Sequence, residues 1–130
     1  AKGWAGGIIT FAVPWPPLEL NPGLFARAIT AMRAQRLVAF REFTSSGPHS
    51  AAHNTYRLSG ARFMATEPYG QRVADVRSLP RNGDLDQLVV YLPGSHIWVR
   101  LWIDAQHRFR RETIVAPGFL IQRSFSYPPG

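Results

Sequence analysis

Apolar positions along the chain fall into three successive patterns: a short apolar start, one stretch at helical spacing, and a long series of short alternating runs. Leu24, Phe25, Ala28, Ile29 and Met32 recur with helical period, and Arg27, Thr30, Arg33 and Arg36 hold the other side, which predicts a helix over 22–36. Asn21 is a favoured N-cap, and Pro22 suits the first helical position, where its missing N–H has no helical partner to lose. The stripe must lie against another layer, and the chain beyond Arg36 reads almost entirely as strand.

From Leu37 to Ser45 the residues alternate. Val38, Phe40, Glu42 and Thr44 share one face, with Leu37, Ala39, Arg41 and Phe43 on the other. The Ser, Gly, Pro and His content of 45–54 predicts a loop. Further strands are expected at 55–66, 71–79, 87–92, 96–104, 108–115 and 119–127, with an Asn82-Gly83 turn signal before the third of these. One helix followed by many consecutive antiparallel strands predicts an α+β domain. The expected form is a single N-terminal helix packed on a strongly curved antiparallel sheet, a half-barrel of about seven strands.

Ahead of the helix, Trp4 to Val13 is apolar and runs into Pro14-Trp15-Pro16-Pro17, an extended connector. Ten residues are too few to cross a bilayer, which takes about 20. Three readings remain open: the end of a membrane helix, a strand packed on this domain, or a strand donated to a neighbour through Trp4, Ile8, Ile9 and Phe11. The first is compatible with a membrane attachment, and the last with an oligomer or filament. The division expected is an apolar, Pro-rich segment over 1–20 and one domain over 21–130.

Composition narrows the chemistry. The chain of 130 residues has no cysteine, which excludes thiol catalysis, disulfides and cysteine-ligated zinc or iron–sulfur centres. Its net charge is +7, and Lys2 is the sole lysine among fifteen basic residues. Arginine forks carboxylates and phosphates and stacks on aromatic rings, so nucleic acid, anionic headgroups and acidic protein surfaces are the candidate partners. A general compositional preference for Arg over Lys is the plainer explanation.

The run His96 to Asp104 presents Ile97, Val99, Leu101 and Ile103 on one face and His96, Trp98, Arg100, Trp102 and Asp104 on the other. Two tryptophans around an arginine line a groove, stack on a ligand or lie under the N-terminal segment, or else form the second packed face of a curled sheet. In the first case Trp98, Arg100 and Trp102 would meet Phe25 and Met32 of the helix around a hydrophobic ligand or lipid. Arg108, Arg110, Arg111 and Arg123 lie close to Glu112, Asp104 and Glu42 in an antiparallel arrangement, and cross-strand ion pairing is their expected use. Without a recognition helix or an aromatic-Gly signature, nucleic-acid binding is not expected. His49 and His53 sit in a loop instead of on one helical face, and Met32 and Met64 are far apart, so no metal or other cofactor is expected. No nucleophile elbow, phosphate loop or zincin motif occurs, and the carboxylates lie among arginines, so the chain reads as a non-enzyme.

The order Val90-Tyr-Leu-Pro-Gly94, Trp98-Val-Arg-Leu-Trp-Ile-Asp104, Arg108 to Gly118 and Ile121 to Tyr127 resembles the extracytoplasmic domain that follows the membrane helices of copper-resistance D (CopD) type proteins. The helix, Val38 to Glu42 and Tyr56-Arg-Leu58 are similar to the wider LolA/LppX-like lipoprotein-carrier fold. The resemblance implies an extracytoplasmic accessory or binding domain, membrane-associated, that holds a hydrophobic ligand or a membrane-protein partner. One departure bears on copper: Phe119 stands where the related domain often has a histidine after its Pro-Gly turn.

Overall fold

A computed structural model describes residues 20–47, 50–69 and 75–129. The chain forms helix α1 (Pro22–Arg33), strands β1 (Val38–Ser45) and β2 (Ala51–Leu58), helix α2 (Gly60–Ala65), and then strands β3 (Asp75–Asn82), β4 (Leu85–Leu92), β5 (Ile97–Ile103), β6 (Phe109–Ala116) and β7 (Phe119–Ser126). The strands make one sheet in the order β2-β1-β7-β6-β5-β4-β3, antiparallel at every pairing. The α+β class and the seven strands agree with the sequence pattern.

The curvature does not. The sheet is open instead of curling into a half-barrel, with β2 and β3 at opposite edges. The chain entering α1 occupies part of the β3 edge that closure would need. Leu20 bridges Arg77, the Asn21 N–H donates to the Val76 carbonyl at 3.0 Å, and Asn21 Nδ2 donates to Ser78 Oγ at 2.8 Å. Asn21 also caps α1, its Oδ1 accepting from the Leu24 N–H.

A second helix replaces the end of the strand expected over 55–66, and β2 begins inside the expected loop. Ser59 caps α2 by accepting from the Arg62 N–H, and Phe63 and Met64 turn inward. Gly60 lets the helices meet: a Cβ there would lie 1.8 Å from the Met32 carbonyl oxygen. The two helices share one core with the sheet. Met32, Phe63, Leu88, Leu101, Ile103 and Phe109 are completely buried, and Phe63 packs edge-on against Phe40, Phe109 and Phe125. Each such side chain contributes on the order of 1.5–3 kcal/mol relative to exposure.

Candidate functional site

Cross-strand register sorts the side chains of the sheet into two faces. The inner face packs on the helices. It carries Val99, Leu101 and Ile103 of β5, opposite Val90 and Leu88 of β4 and Ile114, Glu112 and Phe109 of β6. The tryptophans therefore lie on the outer face, away from the helices, and not in a concavity between sheet and helix. Phe25 and Met32, buried on α1, are separated by the sheet from Trp98, Arg100 and Trp102. The five residues expected around one ligand do not come together. Trp4, Ile8, Ile9 and Phe11, expected to pack or assemble, lie outside the described residues, as does His49.

The outer face is built in transverse rows. One row reads Asp75, Tyr91, Trp98, Val115, Leu120 across five strands. The next reads Arg77, Val89, Arg100, Thr113, Gln122, Phe43, His53 across all seven. The third brings Gln87, Trp102, Arg111, Ser124, Arg41 and Thr55 side by side, with Arg57 one row beyond. Trp98 is half exposed and stacks on Tyr91, with ring centroids 4.3 Å apart. The Arg100 guanidinium lies 4.7 Å above the Trp102 ring and also donates to Gln87 Oε1, and Arg111 approaches the same ring at 5.6 Å. Trp102 Nε1 is buried with no hydrogen-bond partner.

Shallow cavities open on this face. One of about 570 Å³ is lined by residues 41–43 of β1, His53, Asn54 and Thr55 of β2, and Gln122 and Ser124 of β7, Glu42 among them. A smaller one of about 210 Å³ lies between Asp75, Arg77, Val89, Tyr91 and Trp98.

The carboxylates are elsewhere. Glu112, Arg123 and Glu42 are direct cross-strand partners on the inner face, and Glu67, after α2, descends onto them. Arg123 donates through Nε to Glu42 at 2.7 Å and through Nη1 to Glu67 at 2.6 Å and Glu112 at 2.9 Å, while Tyr69 donates to Glu112 at 2.9 Å. The guanidinium fills the place that a bound cation would take among three converging carboxylates. Burial, then the charge of Glu112 and a hydrogen bond to it, push Glu67 well above the usual carboxylate range against the opposing pull of Arg123. The geometry agrees, because Glu67 Oε2 is buried and no protein donor reaches it. An ionised Glu67 would leave that oxygen orphaned, which favours the protonated form, although a hydrogen bond with Tyr69 pulls the other way. Arg123 is held above its ordinary value: burial works against its charge, but Glu112 and Glu67 outweigh it.

Asp104 closes the β5–β6 turn. It accepts from the backbone N–H groups of Gln106 and Arg108 at 2.9 Å each, and from the side chains of Arg108 at 3.1 Å and Arg110 at 2.9 Å. Partial burial opposes its charge, but the Arg108 backbone N–H and guanidinium prevail, and its carboxyl sits below the usual range. Arg108, Arg110 and Arg123 thus pair with Asp104, Glu112 and Glu42 as the expected cross-strand arrangement suggested, whereas Arg111, expected to do the same, forms no ion pair among the described residues and lies near the Trp102 ring instead. Glu67 and Tyr69 were not singled out from sequence, since nothing local marks them as neighbours of Arg123. Tyr91 was also missed, although alternation alone puts it opposite Val90 and Leu92.

Comparison with protein-family models and with curated proteins finds no match to this chain. The functional reading rests on the residues themselves.

Proposed function

We propose that the chain is a non-enzymatic extracytoplasmic accessory domain that docks on a partner at a membrane through its outer sheet face. The observation that carries this reading is the sorting of charge and aromatic surface between the two faces. Glu42, Glu67 and Glu112 are gathered by Arg123 on the inner face, and the outer cavities are lined chiefly by arginine, hydroxyl, amide and aromatic residues, with Asp75 and Glu42 also among their lining residues. A surface of that kind binds, and it lacks the paired acid and base that most hydrolytic chemistry requires. The helix side of the sheet is filled by packed side chains, which favours a docking domain over a carrier holding an acyl chain between helix and sheet. The resemblance to the copper-resistance D type domain supports the extracytoplasmic setting.

Hydroxyl-radical footprinting with and without cell-envelope membranes of the source cell tests it. Tyr91, Trp98 and Trp102 are expected to gain protection with membranes present while Tyr56 on the inner face does not. Equal labelling in both conditions overturns the reading.

A second reading, assembly by strand donation, is favoured by the β2 edge. Every residue from Ala51 to Arg57 is exposed, and no described strand pairs with the outer side of β2. Concentration-dependent multimers in native mass spectrometry would support it, and a monomer at all concentrations would remove it.

A further inference from the structure

On the outer face, β7, β1 and β2 set nine side chains in a grid. Its rows, in register, are Gln122, Phe43 and His53, then Ser124, Arg41 and Thr55, then Ser126, Ala39 and Arg57. Two cavities lie over this grid. The one of about 570 Å³ covers the first two rows, and another of about 590 Å³ covers the last two, so that Arg41, Thr55 and Ser124 line both. Together they make one open groove along β1. Each is within the range of roughly 300–1,000 Å³ typical of small-molecule sites. No position of the grid is a carboxylate. Glu42 also lines the first cavity, but its carboxylate is held by Arg123 at 2.7 Å on the inner face. Arg41, Arg57, Thr55 and Ser124 are exposed, and among the described residues their side chains make no ion pair or hydrogen bond. Elsewhere on the sheet Arg100, Arg108, Arg110 and Arg123 are all engaged by side-chain acceptors.

Donors gathered without acceptors select an anion. Arg41 stands between two hydroxyls in its own row, and Arg57 follows two residues along the strand direction, about 7 Å away. A planar carboxylate is satisfied by one guanidinium fork, whereas a phosphate monoester presents three oxygens in a tetrahedron and takes donors from several directions. Two guanidiniums and the hydroxyls beside them, supplied by three strands, suit the second shape. At the other end of the groove the Phe43 and His53 rings lie with centroids 4.8 Å apart and offer an aromatic surface. We propose that the groove binds a phosphate monoester carried on a small ring-bearing molecule, the phosphate on Arg41, Arg57, Ser124 and Thr55 and the ring against Phe43 and His53. The site goes beyond the docking function and does not rest on it, because Tyr91, Trp98 and Trp102 lie on β4 and β5, with β6 between them and the groove. A nucleic-acid strand fits less well, since the grid has one aromatic row and successive bases need successive stacking surfaces.

The test is amide chemical-shift mapping by NMR on the full 130-residue chain, titrated with adenosine monophosphate, inorganic phosphate or adenosine. Adenosine monophosphate is expected to move the amides of Arg41, Phe43, Thr55 and Ser124 and to leave those of the turn after Asp104 in place. Inorganic phosphate is expected to move the Arg41 row at higher concentration, and adenosine, without the charge, to leave it unmoved. Arg41→Gln is expected to weaken binding of the monophosphate about tenfold or more, and Arg81→Gln, outside the grid, to leave it unchanged. His53→Ala is expected to weaken the monophosphate but not inorganic phosphate, which separates the ring end of the groove from the anion end. The mapping reads the parent chain, so it stands whether or not a variant folds. Shifts that are absent, or spread over the arginines of the whole surface, overturn the proposal. Shifts from vesicles containing phosphatidic acid but not from the monophosphate overturn it in favour of a lipid headgroup, and tight binding of an oligothymidylate without binding of the monophosphate overturns it in favour of nucleic acid. Membrane protection of Tyr91, Trp98 and Trp102 is read by footprinting and not by these titrations, so this site and the docking function fail separately.

Discussion

Glu67→Gln isolates the protonation state of the buried cluster. Glutamine matches a protonated glutamic acid in shape, its carbonyl can accept from Arg123 Nη1, and its amide can donate toward Glu112. The folded state raises the Glu67 pKa above its ordinary value near 4.5, so above that pH the folded chain binds a proton that the unfolded chain releases. The stability due to Glu67 is therefore fully present below about pH 4.5 and declines as pH rises toward the folded pKa. The decline has a limiting slope of about 1.4 kcal/mol per pH unit. The glutamine variant has no such proton to lose. Near pH 5 it is expected within about 1 kcal/mol of the parent, since one neutral hydrogen-bonding group replaces another. Between about pH 5 and pH 7 it is expected to gain on the parent along that slope until the folded pKa is reached. All other titrating groups are common to both chains and largely cancel in the difference. Urea unfolding followed by circular dichroism across this pH range measures it. A difference that is flat, or that moves in favour of the parent as pH rises, would mean that Glu67 is ionised in the fold and that the account of its orphaned oxygen is wrong.

Other substitutions probe neighbouring claims. Arg123→Met strands Glu42 and Glu112 as buried charges and is expected to cost about 3–5 kcal/mol, whereas Arg111→Met on the open face should cost about 1 kcal/mol or less; similar losses for both in urea unfolding would contradict the two-faced charge sorting. Gly60→Ala places a methyl group against the Met32 carbonyl and should cost at least about 1–3 kcal/mol, and a parental melting temperature would show that the helices do not approach as described. Asp104→Asn is expected to lower stability at neutral pH, with the deficit shrinking as pH falls through the depressed Asp104 pKa, where the parent loses that same stabilisation; a deficit that persists unchanged in acid would remove the ionic part of the argument. Phe63→Ala in the core should cost about 3–5 kcal/mol while Trp98→Ala costs much less, and equal costs by thermal unfolding would place Trp98 in a packed layer.

What the sequence determined by itself was local and periodic. Asn21-Pro22 and the apolar stripe on α1 are a cap and a face that helix geometry reads directly, and both occur as expected. Strict alternation in β1 and β5 named both faces of each strand, because a period of two admits one sorting of side chains. Proximity of Arg108 and Arg110 to Asp104 across one short turn likewise foretold their ion pairs. Alternation cannot say which face the helices cover, and that choice belonged to the tertiary structure. The helices took the aliphatic face of β5, where Val99, Leu101 and Ile103 desolvate without stranding a polar group. Covering the other face would have buried the Arg100 guanidinium, which has no carboxylate partner among the described ion pairs. The α2 segment was misread because six residues are too few to show a helical period, and its stability comes from Phe63 and Met64 packing on a sheet not visible locally. The same limit hid the cluster around Arg123. Its members come from β1, β6, β7 and the chain after α2, and only strand order and register bring three carboxylates to one guanidinium.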